Sequence, residues 1–141
     1  MQATTNADAP DAMQQLSEGA DAATVALLGA LADRAGSVVG AVLATADGLP
    51  LASVVPASMS PSRLSAMGSA LLGLCDAAAG ESHIGTCSDV IVDAANGRLL
   101  SMSVTYRGAS CVLLAVGSAS APLGHVLWST RACAQAIAQL A

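Results

Sequence analysis

The chain has 141 residues, 54% of them hydrophobic but only 1% aromatic, and a formal net charge of −5 from ten acidic and five basic groups. That length holds one domain with a real core plus a tail, and not two domains of ordinary size. All the basic residues are arginines (Arg34, Arg63, Arg98, Arg107 and Arg131), so the dense basic surface that phosphate neutralisation requires is missing and nucleic acid is not an expected partner.

Residues 1–16 mix Ala, Thr, Asn, Asp, Gln and a Pro without periodicity, which fits a flexible acidic tail ahead of a domain over 17–141. They lack the positive start and apolar run of a secretory signal. No apolar stretch reaches the roughly 18 to 20 residues that span a bilayer, so a cytoplasmic protein without membrane insertion is expected. Ser17 or Asp21 caps a first helix that Gly36 stops, with Val25, Leu28, Leu31, Ala32 and Ala35 on one side. A β-hairpin follows at once: the apolar run Val38 to Thr45, the turn Asp47-Gly48, and a second run through Leu49-Pro50-Leu51-Ala52-Ser53-Val54.

Ser60-Pro61 supplies an N-cap and a first-turn proline, opening a second helix to about Ala79 with a stop at Gly80. Leu64, Met67, Leu71, Leu74, Cys75 and Ala78 share one stripe, the predicted core face. On the opposite face Ser65, Ser69, Gly73 and Ala77 recur every four residues, joined by Leu72, with Asp76 as the charge. A solvated face normally carries Lys, Glu or Arg, whereas small residues in a row let another backbone approach closely. A second copy of this helix is a natural cover; an alanine-rich helix with a bland exposed face is the alternative.

Gly85 to Val92 reads as a third strand, and Asp93 to Gly97 as a hairpin loop turning at Asn96-Gly97. In the fourth strand, Arg98 to Tyr106, Leu100, Met102, Val104 and Tyr106 alternate with Ser101, Ser103 and Thr105, so one face is buried. Arg107-Gly108 turns the chain into Cys111 to Val116, apolar on both faces and therefore central. Pro50 and Asp89 assign the second and third strands to the sheet edges. The third edge, with Cys87, Asp89 and Ile91, is free to pair with another chain. A last helix after Pro122 carries Val126, Thr130, Cys133, Ile137 and Leu140 on one stripe. The order αββαβββα is an α+β plan with an antiparallel sheet.

No catalytic constellation emerges. Cys75, Cys87, Cys111 and Cys133 form no C-x-x-C pair and read as reduced, mostly buried thiols. His83 near Cys87, with Cys75 upstream, matches no familiar four-ligand zinc spacing, so neither metal nor cofactor is expected. His83 and His125 have unremarkable neighbourhoods, and Ser118-Ala119-Ser120 reads as a connector. The phosphate-binding pattern G-x-x-x-x-G-K-[ST] does not occur, so the chain is not expected to be a nucleotide hydrolase itself.

The stretch Gly40-Ala41-Val42-Leu43 through Asp47-Gly48-Leu49-Pro50-Leu51-Ala52, then Ser60-Pro61, then the Asn96-Gly97 turn with its following strand, resembles the roadblock (dynein light chain) family. The resemblance covers about Asp21 to Leu140 and is greatest to stand-alone bacterial members of the mutual gliding motility protein B type. It implies a five-stranded sheet of order 2-1-5-4-3, with one helix on one face and two on the other. It also implies a homodimer joined through the third strand and second helix, here Ser65, Ser69, Leu72, Gly73, Asp76, Ala77, Cys87, Asp89 and Ile91. The implied function is non-catalytic: an adaptor that binds a small Ras-like GTPase and scaffolds it or modulates its GTP hydrolysis. Arg107 and Arg63 are the best-placed arginines for a finger reaching the transferring phosphoryl group, although surface solvation is the ordinary role of both. A small-molecule-binding sensor module is the alternative, disfavoured by the shortage of aromatics and convergent polar groups.

Overall fold

The computed structural model describes residues 22–32 and 37–140. Residues 22–32 are helical and form α1. There follow β1 (Val38–Thr45), β2 (Pro50–Val54), α2 (Pro61–Glu81), β3 (Asp89–Ala94), β4 (Gly97–Tyr106), β5 (Ala109–Ser118) and α3 (Leu123–Ala138). The strands make one antiparallel sheet in the order β2-β1-β5-β4-β3, as expected, with β2 and β3 at the edges. The acidic tail, the caps at Ser17 or Asp21, and Ala35 and Gly36 lie outside the described residues.

Side-chain alternation divides the core between the two sheet faces. Leu43, Leu100, Met102, Val104, Tyr106, Cys111 and Leu113 pack against Leu28 and Leu31 of α1 and Val126, Cys133 and Ile137 of α3. The other face is smaller: Val42, Ala44, Val112 and Leu114 pack under Leu72 of α2. Burial on both faces is why β1 and β5 read as continuous apolar runs. In α1 the buried partner is Thr24, whose hydroxyl lies 3.2 Å from that of Tyr106, while Val25, expected inside, is exposed.

The hairpin turn holds the register that its sequence suggests. Thr45 Oγ1 donates to Asp47 Oδ1 and accepts from Leu49 N–H, and Gly48 takes the left-handed backbone at φ 97°. Gly48 also sits against α2: a Cβ there would come within 3.1 Å of the Ala66 Cα. At the second turn the loop is Ala95-Asn96, and Asp93 and Ala94 belong to β3. Gly97 lies inside β4 without a left-handed φ; a Cβ on it would meet the Gly117 carbonyl oxygen at 2.6 Å. The glycine is required by close strand approach, not by turn geometry.

Two boundaries differ from expectation. Helix α2 continues past Gly80 because the left-handed residue that ends it is His83, at φ 58°, while the Ile84 N–H closes back onto the Ala79 carbonyl at 3.0 Å. Strand β3 begins at Asp89, not Gly85. Gly85 has a φ of 103°, and the Cys87 N–H is taken by Asp76 Oδ1 at 2.8 Å, so this stretch is a connector tied to α2.

Candidate interaction surface on the second helix and third strand

Helix α2 has few charges on either side, so its orientation on the sheet is decided by fit. The structure seats it on the seam between the two stripes: Ser65, Gly68, Leu72 and Ala79 are buried, Leu64, Leu71 and Cys75 are half-buried beside them, and Met67 and Leu74 of one stripe and Gly73 and Ala77 of the other are exposed. The cause is close approach. A Cβ on Gly68 would lie 2.2 Å from Leu114 Cδ2 and 2.7 Å from its Cγ, so the helix rests directly on β5 only because position 68 has no side chain. Ser101 of β4 donates its hydroxyl to the Gly68 carbonyl at 2.9 Å, and the Ser69 hydroxyl reaches the Thr45 and Ala46 carbonyls at 3.3 and 3.1 Å. Gly68 makes room for the Leu114 side chain and Ser69 reaches the β1 turn, so these small residues serve contacts with the chain's own sheet.

The nine residues assigned to a partner seam are thereby dispersed. Ser65 and Leu72 lie in the core, and the Ser65 hydroxyl has no hydrogen-bond partner among the described residues. Ser69 and Asp76 fasten α2 to the β1 turn and to the connector before β3. Gly73 and Ala77 are exposed, and Gly73 helps line an open cavity of about 410 Å³ with Asp76, Cys87 and Cys111. Cys87 donates its thiol to the Asp89 carbonyl at 3.2 Å. Asp89 and Ile91 pair with Met102 and Leu100, which puts both on the α1/α3 face of the sheet.

Part of what α2 leaves to solvent is apolar. Met67 is 58% exposed, Leu74 70%, and Ile84, just past the helix end, 77%. Leu64, Leu71 and Cys75 are half-buried along the same stripe, and Leu64 packs toward the small core that contains Leu99 and Val90. On this face the edge strand adds Val92, and an apolar groove of about 600 Å³ is lined by Val39, Met59, Val92, Leu99 and Val116. Exposed apolar patches with an open strand edge mark association sites. Met67, Leu74, Ile84 and Val92 are the residues that sequence reasoning assigned elsewhere or passed over; the available signal was an apolar stripe that the helix did not need in order to dock.

Among the described residues, no three His, Cys, Asp or Glu side chains are grouped to hold a metal ion. His83 and His125 are exposed and far apart in the fold, beyond α2 and in the first turn of α3. Arg63 is exposed in the first turn of α2, and Arg107, in the left-handed position of the β4–β5 turn, stacks over the Tyr106 ring at 5.5 Å. Burial pushes the Cys111 thiol above its ordinary range, which suppresses thiolate reactivity. No helix among the described residues is long and apolar enough to cross a membrane.

The family model of the Roadblock/LC7 domain matches residues 24–115. Among solved structures, MglB of Myxococcus xanthus superposes with a TM-score of 0.73 at 14% identity, covering 82% of this chain and 85% of that one. A Roadblock/LC7 domain from Streptomyces avermitilis gives 0.70 at 20% identity, covering 80% and 92%. The gliding protein MglB from Thermus thermophilus gives 0.69 at 16%, covering 82% and 86%. A further MglB structure is described as having a tetrameric arrangement. No curated protein matches the chain.

Proposed function

The chain belongs to the Roadblock/LC7 domain family, and from that premise we propose that it is a non-catalytic, homodimeric adaptor that binds a small Ras-like GTPase, scaffolding it or modulating its GTP hydrolysis. The observation that carries the reading is the uncovered apolar surface of α2 and β3. Met67, Leu74, Ile84 and Val92 are exposed apolar side chains on or beside these two elements, the kind of surface that marks an association site. Dimerisation through this surface pairs the β3 edges and packs the apolar flank of one α2 against that of the second copy. The seam is therefore the Leu/Met stripe and not the Ser/Gly stripe named from the pattern.

The GTPase is the partner suggested by the family and by the MglB neighbours. The chain's contribution is positional: Arg63 is exposed in the first turn of α2, and Arg107 stacks on the Tyr106 ring in the β4–β5 turn. The sensor alternative finds little support, since the cavity beside Gly73 and the groove beside Val92 are each lined by a single charged residue, Asp76 and Arg98. The test is co-elution of the purified chain with each small GTPase of the source genome, loaded in turn with GDP or a non-hydrolysable GTP analogue. Complex formation that depends on the nucleotide state is the expected result. Failure of every such GTPase to bind in either state refutes the adaptor reading.

A further inference from the structure

We propose that the N-terminal segment of this chain passes over the β4–β5 turn and seats residues 12–17 in the open cavity of about 410 Å³ between α2 and the sheet. The inference depends neither on the GTPase nor on the self-association seam. Helix α1 fixes where the segment joins the fold: the hydroxyl of Thr24, in its first turn, lies 3.2 Å from that of Tyr106, the last residue of β4. Residues 1–21 therefore depart beside the Arg107-Gly108 turn. The cavity opens at the same turn, since its lining includes Ser110, one rung of the β4–β5 ladder from Tyr106, and Ser103. The segment has to pass from one face of the sheet to the other, a step on the order of the 10 Å layer spacing. Leu16, which precedes Ala22, reaches up to about 20 Å along an extended chain.

Charge and polarity match at both points of contact. The segment carries Asp8, Asp11, Glu18 and Asp21 and no basic residue. Arg107 presents a cation where it passes: exposed, at φ 52°, and stacked over the Tyr106 ring at 5.5 Å. A two-residue turn with positive φ at both positions favours asparagine before the glycine, so turn geometry does not call for arginine here. Glu18 and Asp21, the acids nearest α1, are its counter-charges. Between Asp11 and Glu18 the run Ala12-Met13-Gln14-Gln15-Leu16-Ser17 is uncharged. The cavity offers Leu72 and Val112 as an apolar wall, the Ser103 and Ser110 hydroxyls, and the Asp76 carboxylate, whose Oδ1 holds the Cys87 N–H at 2.8 Å. Met13 and Leu16 cover the apolar wall, and the Gln14 and Gln15 amides donate to the Asp76 carboxylate and the serine hydroxyls. Asp76 repels an acidic stretch but accepts an uncharged one whose flanking acids stay outside. Seated there, the segment covers the Gly73 side of α2 and leaves Met67 and Leu74 open.

Two native thiols make the test internal to the chain: Cys87 lines the cavity, whereas Cys75, half-buried like it, does not. The full chain carrying Leu16→Cys is oxidised with diamide at low protein concentration. Links within one chain are separated by non-reducing electrophoresis and assigned by peptide mass mapping, and far-UV circular dichroism confirms that each variant folds. The introduced thiol should join Cys87 in preference to Cys75 by at least about fivefold, the effect of a raised effective concentration. Adding Met13→Asp should abolish the preference. Adding Arg107→Asn, which suits the left-handed position and removes only the cation, should lower the yield of the Cys87 link several-fold. Equal yields at Cys75 and Cys87, links formed only between chains, or a preference that survives both added substitutions overturns the inference. None of these results bears on the α2 seam or on GTPase binding.

Discussion

Replacing Gly68 with alanine probes the seating of α2, on which the exposed surface depends. In a helix interior Gly→Ala normally stabilises by about 1 kcal/mol through backbone entropy. Here the new Cβ would sit 2.2 Å from Leu114 Cδ2, 2.7 Å from Cγ and 2.9 Å from Cδ1, and Leu114 is 1% exposed with no room to swing away. Overpacking of this kind costs about 1 to 3 kcal/mol, so the net expectation is a loss of about 1 kcal/mol. For a domain of this size that is a fall of about 4 °C in Tm. Urea denaturation of a double-mutant cycle with Leu114→Ala gives the sharper readout. Removing the leucine side chain should let Gly68→Ala regain its helix-propensity benefit, for a coupling of about 2 kcal/mol. Because self-association adds to apparent stability, all four proteins are compared at one concentration. Gly68→Ala that stabilises the parent protein by the full propensity increment, with no coupling to Leu114, would refute the docking of α2 on β5.

Gly97→Ala should destabilise by about 1 to 3 kcal/mol in urea, because its Cβ would meet the Gly117 backbone oxygen at 2.6 Å and backbone cannot rotate aside as a side chain can. Tyr106→Phe should cost about 1 kcal/mol by leaving the buried Thr24 hydroxyl without its 3.2 Å partner, and Thr24→Val in the same background should cost little more. In iodoacetamide labelling of the folded chain, the half-buried Cys75 and Cys87 should react well before Cys111, as peptide mass mapping would show. The raised Cys111 pKa also has a stability consequence. Below its ordinary value of 9.0 the thiol is protonated in both states and the contribution is intact; as pH rises beyond that, the unfolded chain ionises first and stability falls. Thermal unfolding of Cys111→Ala should show a smaller fall above that pH.

Most of the architecture was legible because its determinants are local. Asp47-Gly48, Ser60-Pro61 and the alternation from Leu100 to Tyr106 each act within a few residues, and Pro50 and Asp89 mark the two edges that the sheet has. The α3 stripe of Val126, Thr130, Cys133 and Ile137 is buried as read. The seating of α2 was not legible. Both of its sides carry few charges, so hydrophobic patterning favours the side with larger residues, whereas the sheet accepts the strip between the two, with Gly68 at its centre, because Leu114 projects from β5 beneath it. The Arg131–Asp89 pair spans 42 residues, and nothing in the neighbourhood of either signals the other. Gly97 was flagged for the wrong reason, since its need for a bare Cα comes from Gly117 on the neighbouring strand.

The claim that self-association uses the apolar flank of α2 separates two substitutions one residue apart. Gly73→Glu adds a charge on the side of α2 that faces the open cavity, where a Cβ meets nothing within 4 Å. Leu74→Glu puts the same charge in the middle of the exposed apolar stripe. Sedimentation equilibrium of the two variants is the most direct measurement: Gly73→Glu should remain a dimer and Leu74→Glu should be a folded monomer. A monomeric Gly73→Glu beside a dimeric Leu74→Glu would contradict the account.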